Sequence, residues 1–405
     1  MPLSFNKLSV TSAGRTAVQK NLLFIPGPVT VAEPVLQAMA GQMIDHRGPR
    51  FAQLLGSIEK RMQPIFGTQG DVLVLGASGS GGLEAAVSNM FGPGDTVLAC
   101  PVGVFGQRLI AIAKTYGANV EILETAWGCG VDPAALSARL EADTEKKITG
   151  VLLTHNETST GVQNELAPLA AITRGHGAYV VVDSVSGLAA SEFTMDAWGF
   201  DIVVTASQKA LAVPPGLAMV AVSDRAWAKM ERNASPRFYF DLRKAKEFAA
   251  LGQTPWTPPV SLVYALDVAL ELFAKEGERN VWARHARYAA AIRAALRALD
   301  LEIFSREGAH SVTVVAAHVP RGIDGDGVRK KLREERGLTL GGGQKELKGK
   351  IIRIGTMGDL SQTDLIGMIG ALEIGLAEAG HHIVLGSGAK AALEIFLHDD
   401  AAVPA

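Results

Sequence analysis

The chain has very little cysteine: two in 405 residues, Cys100 and Cys129. They form no Cys-x-x-Cys pair and carry no metal-ligand spacing, which excludes a disulfide framework, offers no metal site and points to a reducing compartment. Each reads as a small buried apolar residue. Charge of one sign is also lacking, with a formal net charge of −2 and basic residues scattered along the chain. That leaves no stripe for a phosphate backbone, so nucleic acid is not an expected partner. No window reaches the roughly 18 consecutive apolar residues of a membrane span. The start, Met1-Pro2-Leu3-Ser4-Phe5-Asn6-Lys7, lacks the basic beginning and apolar core of a secretory leader. The expectation is a cytoplasmic protein with no membrane association. Internal repeats and low-complexity segments are absent as well.

What is present is alternation. Between residues 70 and 225, short Val/Ile/Leu-rich runs alternate with longer amphipathic segments, which predicts an α/β fold with a mostly parallel sheet flanked by helices. The runs begin at Asp71, Thr96, Asn119, Gly150, Tyr179, Ile202 and Leu217, so seven strands are expected, with a helix from about Leu83 to Met90 after a Gly/Ser loop. Apolar helical periods follow at 259–273 and 281–299. A smaller α+β domain would then hold strands Val312–Ala316 and Ile351–Ile354 and helices near 328–335 and 362–379. The predicted organisation is an arm over 1–20, a large domain over 21–260, and a linker helix with the small C-terminal domain over 261–405. The arm has no core of its own and would pack on the small domain or a neighbouring subunit.

Four positions just after strands carry the chemistry, because ligands of such sheets gather at the carboxyl ends of the strands. Lys209 ends the stretch Ile202-Val203-Val204-Thr205-Ala206-Ser207-Gln208-Lys209 and precedes Pro214-Pro215-Gly216. Desolvation there would lower the amine's pKa and make it a nucleophile, although a solvated loop lysine also fits the pattern. Gly76-Ala77-Ser78-Gly79-Ser80-Gly81-Gly82 reads as a phosphate cradle of backbone amides and hydroxyls, or as a plain flexible turn. It matches neither G-x-G-x-x-G, since Glu84 stands where the third glycine belongs, nor the P-loop. Asp183 closes the apolar run Tyr179–Val182 and needs a cationic partner, unless it serves as a helix N-cap. Arg353, inside Ile351-Ile352-Arg353-Ile354-Gly355, suits bidentate capture of a carboxylate, or an interdomain salt bridge. A cradle for phosphate, an acid for a ring nitrogen, a lysine for an aldehyde and an arginine for a substrate carboxylate together describe pyridoxal 5'-phosphate acting on an amino acid. No other common cofactor needs all four.

The chain resembles the class V aminotransferases, in the branch of alanine–glyoxylate and serine–glyoxylate aminotransferases. The matching motifs span nearly the whole chain: Pro26-Gly27-Pro28, Asp45-His46-Arg47-Gly48-Pro49, Ser78 to Ala85, Gly106-Gln107-Arg108, Thr154 to Gly161, Val182 to Ser186, Ser207-Gln208-Lys209-Ala210 and Arg353-Ile354-Gly355. The resemblance implies fold type I and a homodimer with active sites at the interface. By it, Lys209 would bond to the cofactor's aldehyde carbon and Asp183 would pair with the ring nitrogen. Ser78, Gly79, Ser80 and Gln208 would hold the phosphate, and Thr158 would contact the phenolic oxygen. Phe105 would stack on one face of the ring with Val185 on the other. Thr257, or Thr254 as a weaker candidate, would reach the phosphate across the dimer interface. Arg353 and the backbone around Gly27 would bind the substrate carboxylate.

The implied reaction is ping-pong transfer of an amino group from a small amino acid to glyoxylate, giving glycine and a 2-oxo acid. Two departures bear on the donor: Leu83 stands where serine-using members commonly have Trp, and Ser80 where animal alanine-using enzymes have His. Alanine or serine is the expected donor, with aspartate or ureidoglycine as alternatives. Leu83 and the Gly27 segment are expected to wall a narrow pocket. A cysteine desulfurase would need a nucleophilic cysteine in the C-terminal half, and none follows Cys129. A nucleotide-dependent dehydrogenase is disfavoured by the missing third glycine. A non-catalytic subunit of a larger complex is the remaining reading from another class.

Overall fold

The apolar runs become strands, and their pairing was followed in a computed structural model that describes residues 21–398; the arm expected over 1–20 lies outside the described residues. In chain order the strands are β1 (Leu22–Phe24), β2 (Asp71–Gly76), β3 (Thr96–Ala99), β4 (Asn119–Ile122), β5 (Ile148–Thr154), β6 (Asn156–Glu157) and β7 (Val162–Gln163). They continue with β8 (Tyr179–Asp183), β9 (Ile202–Ala206), β10 (Leu217–Val222), β11 (Val314–His318), β12 (Leu338–Gly342) and β13 (Ile351–Gly355).

Seven of them form one sheet in the order β2-β10-β9-β8-β5-β3-β4. Strand β10 runs antiparallel to both neighbours and every other pairing is parallel. Strands β9 and β10 are buried at every residue, as sheets covered by helices on both faces require. The period of two divides the side chains between two cores. Val72, Val74, Leu153, Val180, Val182 and Val203 belong to one, and Leu73, Leu75, Leu152, Val181 and Val204 to the other.

The second sheet has the order β1-β12-β13-β11 and its own core against the helices Glu278–Ala298, Gly325–Arg336 and Gln362–Glu378. Strand β11 begins two residues later than expected, at Val314 rather than Val312. Ser311 Oγ accepts from the amides of Thr313 and Val314, which turns the chain just before the strand. Among the described residues no helix is long and apolar enough to cross a membrane.

One difference matters for the site. The helix after β2 starts at Gly79, not Leu83, so the Gly/Ser segment is its first turn rather than a loop before it. Glycine permits this, because a Cβ at Gly82 would meet Val204 Cγ1 at 2.8 Å and Ala218 Cβ at 2.9 Å. The helix therefore lies directly on β9 and β10, and Leu83 is a core residue, 1% exposed. This corrects the expectation that it walls the pocket.

Candidate active site

The neighbouring parallel strands β8 and β9 bring two charged residues to one edge of the sheet. Asp183 ends β8 with 3% exposure. Among the described residues its carboxylate takes one hydrogen bond, from the Val185 amide at 2.9 Å. Burial pushes its pKa up to about 7; the Val185 bond opposes this, the charge of Glu157 adds to it, and Arg108 and Lys209 pull it down.

Lys209 lies three residues beyond β9, 9% exposed. The loop carrying it is closed by bonds at both ends: the Ala212 amide donates to Lys209 O at 2.9 Å, and Ser207 Oγ donates to Pro214 O at 2.8 Å. Its Nζ donates to the carbonyl of Pro26. Burial lowers the amine's pKa to about 8, Asp183 holds it up, and Arg353 and Arg108 press it further down. Gly27 lies against this amine with φ +115°, and a Cβ there would sit 2.8 Å from Nζ. Glycine is required at 27 by both the backbone and the approach.

The cradle adds the first turn of the helix Gly79–Met90. Ser78 is its N-cap residue, yet its hydroxyl makes no capping bond. Gly79 is buried, and a Cβ on it would press on Val185 Cγ1 at 3.0 Å. Ser80 Oγ accepts from Arg108 Nη1 at 2.7 Å, and the Arg108 guanidinium lies 4.7 Å from the centre of the Phe105 ring. Gln208, next to Lys209, has a buried Oε1 without a partner among the described residues. Thr158 shares a 2.7 Å hydrogen bond with Ser186 Oγ.

Arg353 reaches the same region from β13, 7% exposed. Its Nε donates to Gly342 O at 2.7 Å and its Nη1 to Thr158 O at 2.8 Å. Burial lowers its pKa to about 10, opposed by Glu157, so the guanidinium remains charged at neutral pH. These two bonds tie it to β12 and to the turn between β6 and β7.

Thr254 and Thr257 are not brought to this cluster within the chain. Thr257 is exposed, and Thr254 Oγ1 donates to Trp256 O at 2.7 Å. Both line a separate small cleft with Gly76 and Tyr239. Arg47 holds their segment, with Nη1 donating to Gln253 Oε1 at 2.8 Å and to Thr254 O at 3.0 Å.

Sequence reasoning gave no role to Glu157 or Arg108, although both stand in quoted motifs. Glu157 is fully buried and accepts four hydrogen bonds, from the amides of Phe105, Gly106 and Ser159 and from Ser159 Oγ. Burial raises its pKa against those bonds. It thus fixes the helix start that carries Phe105 and places a carboxylate near Asp183. Its segment, Thr154-His155-Asn156-Glu157-Thr158-Ser159-Thr160, is polar in sequence, and the complete burial of 151–160 comes from the fold.

Comparison with known proteins gives the family. Residues 31–354 match the family model described as Aminotransferase class-V. The chain is 38% identical to the soluble hydrogenase 42 kDa subunit of Anabaena cylindrica, over 93% of this chain and 99% of that one. It is also 38% identical to the L-aspartate–glyoxylate aminotransferase of Paracoccus denitrificans, over 95% and 98%. Among solved structures, pyridoxamine–pyruvate aminotransferase from Mesorhizobium loti superposes with a TM-score of 0.89 at 32% identity, covering 95% of this chain and 98% of that one. The chain belongs to the class-V aminotransferases.

Proposed function

We propose that the chain moves the amino group of a small amino acid to glyoxylate, using pyridoxal 5'-phosphate. The observation that carries this reading is the buried pair at the ends of β8 and β9: an acid lifted to about 7 beside an amine lowered to about 8. A structural ion pair needs no such displacement, and an amine with this pKa has a far larger neutral fraction near neutral pH than an ordinary lysine.

The residues present fit the cofactor. Among the described residues, Asp183 is a buried carboxylate with a single hydrogen bond, Gln208 Oε1 is buried without a partner, and the Ser78 hydroxyl is not spent on its helix. Asp183 would face the ring nitrogen and Lys209 the aldehyde. Ser78, Gly79, Ser80 and Gln208 would take the phosphate. Thr158 would meet the phenolic oxygen, and Phe105 and Val185 the two ring faces. Thr257, or Thr254, would complete the phosphate site of a second subunit in a homodimer, which is consistent with their separation from Lys209 within one chain.

When bound, pyridoxal phosphate supplies an aldehyde that accepts the amino group and a ring that stabilises the electron pair released at Cα. The protein does the rest. Arg353 and the Gly27 backbone hold the α-carboxylate and so orient the Cα–H bond toward Lys209. Lys209 Nζ would be the base that takes that proton and later returns it. Asp183 keeps a positive charge on the ring nitrogen favourable, each pKa unit being worth about 1.4 kcal/mol. The burial of both groups strengthens these interactions by excluding water.

A subunit without catalysis, the other reading, leaves the desolvation of Lys209, Asp183 and Arg353 without a purpose. The test is spectroscopic: purified protein should carry an absorbance band that shifts on adding a donor amino acid and returns with glyoxylate. A protein that gains no band from added pyridoxal phosphate would sink the proposal.

A further inference from the structure

The second sheet carries a feature for which the reaction itself has no need. A cleft of about 570 Å³ opens beside Arg353 and is lined by Arg329, Lys330, Arg333, Lys345 and Lys348, against one acidic residue, Asp326. For a chain with a net charge of −2, this is a concentrated positive site.

Its geometry is organised by β12. Arg329 Nε donates to Leu340 O at 3.0 Å, and Arg353 Nε donates to Gly342 O at 2.7 Å. The two acceptors are two residues apart on one strand, about 6–7 Å along it. Gly342 makes room for this arrangement, since a Cβ there would meet Arg329 Nη1 at 2.3 Å. Asp326 Oδ1 accepts from Arg329 Nη1 at 2.7 Å, which orients the fork. At the same wall Gln344 has a buried Oε1 without a partner among the described residues, and an amide turned over would offer its NH₂ there. Lys345 Nζ donates to Gln107 Oε1 at 2.9 Å, tying the cleft to the helix that carries Phe105 and Arg108.

We infer that Arg329, with Lys345 beside it, binds the second acid group of a dicarboxylic amino donor whose α-carboxylate lies on Arg353. The inference rests on the transaminase reading above and names the donor class for it. The two acid carbons of a four- or five-carbon dicarboxylate lie roughly 4–5 Å apart, from carbon–carbon bonds of about 1.5 Å. Arg329 and Arg353 each spend Nε and Nη1 on the bonds above, so the Nη2 of each, on side chains anchored one strand repeat apart, would meet the two acids at about 2.8 Å. A neutral donor would leave Arg329 on Asp326 and gain nothing from it.

The experiment compares aspartate and glutamate with alanine and serine on the cofactor-loaded enzyme, using wild type, Arg329→Gln, Arg329→Lys and Lys345→Gln. Wild type should favour a dicarboxylic donor at least tenfold in kcat/KM. Arg329→Gln should lower the dicarboxylic value by about 10–100-fold and the alanine value by less than about threefold, with Arg329→Lys and Lys345→Gln between. Without turnover, succinate should raise the Tm of wild type more than butyrate does, and Arg329→Gln should erase that difference. Turnover of alanine or serine without a dicarboxylic preference, or an equal loss for both donor classes, would overturn the subsite alone. Absence of exchange with any donor would overturn the transaminase reading and the subsite together.

Discussion

The two sheets contribute opposite kinds of charge to one site. At the ends of β8 and β9, and on β6, the ionisable groups are almost sealed from water: Asp183 is 3% exposed, Lys209 9% and Glu157 0%. Their pKa values are displaced accordingly, up for the acids and down for the amine. Beside β12 the cations are half-buried or exposed, and Arg329 keeps a carboxylate partner. Burial tunes reactivity at the cost of desolvation, whereas exposure keeps charge available for attraction at long range. On the proposed reading, chemistry belongs to the ends of β8 and β9 and selection to the cleft beside β12. Arg353, on β13 of the four-stranded sheet, bonds to Gly342 O within that sheet and to Thr158 O in the turn between β6 and β7.

Breaking the buried side should cost most. Lys209→Ala should lower kcat by about 10⁴-fold or more, since one group serves as both attachment point and base; single-turnover kinetics with a donor amino acid would measure it. Asp183→Asn should follow with roughly 10²–10³-fold and with weaker retention of the cofactor on dialysis.

The same variant sharpens the electrostatic account. The Lys209 amine, lowered from 10.5 to about 8, should capture an aldehyde at a rate that climbs through pH 8 and then levels. Asp183 favours the protonated amine, so Asp183→Asn should move that midpoint lower. Arg353 disfavours it, so Arg353→Leu should move the midpoint higher.

Arg353→Leu should also raise KM for the carboxylate substrates by about 10–100-fold, with a smaller change in kcat, as expected for a charged hydrogen bond lost from binding. Glu157→Gln should have the smallest effect on turnover. It sets an amide against the Phe105 and Gly106 amides and should cost about 1–3 kcal/mol of stability, read as a lower midpoint in urea.

The same contrast governs what the sequence made legible. The strands of the large sheet stood out because Val/Ile/Leu runs such as Tyr179–Val182 are bounded by polar or Gly/Pro residues, so local pattern and final burial agree. Lys209, Asp183 and Arg353 were visible for the same reason: each is a charge placed against an apolar run. Strand β12, Leu338-Thr339-Leu340-Gly341-Gly342, was not legible, because two glycines dilute its pattern and its partners β1 and β13 are set by distant pairing. The Gly/Ser segment looked like a loop because glycine disfavours helix; packing on β9 and β10 overrides that preference. Glu157 escaped because its role depends on the Phe105 and Gly106 amides, some fifty residues earlier. The cleft escaped because its cations come from the helix Gly325–Arg336, the turn after β12 and β13. Along the chain they read as scattered basic residues.

The most direct test of the division between buried and exposed charge is chemical. Loading the protein with pyridoxal phosphate, reducing with borohydride and mapping the labelled peptides by mass spectrometry should place a single label on Lys209. Label distributed over Lys330, Lys345 and Lys348, or no stable label at all, would contradict the account.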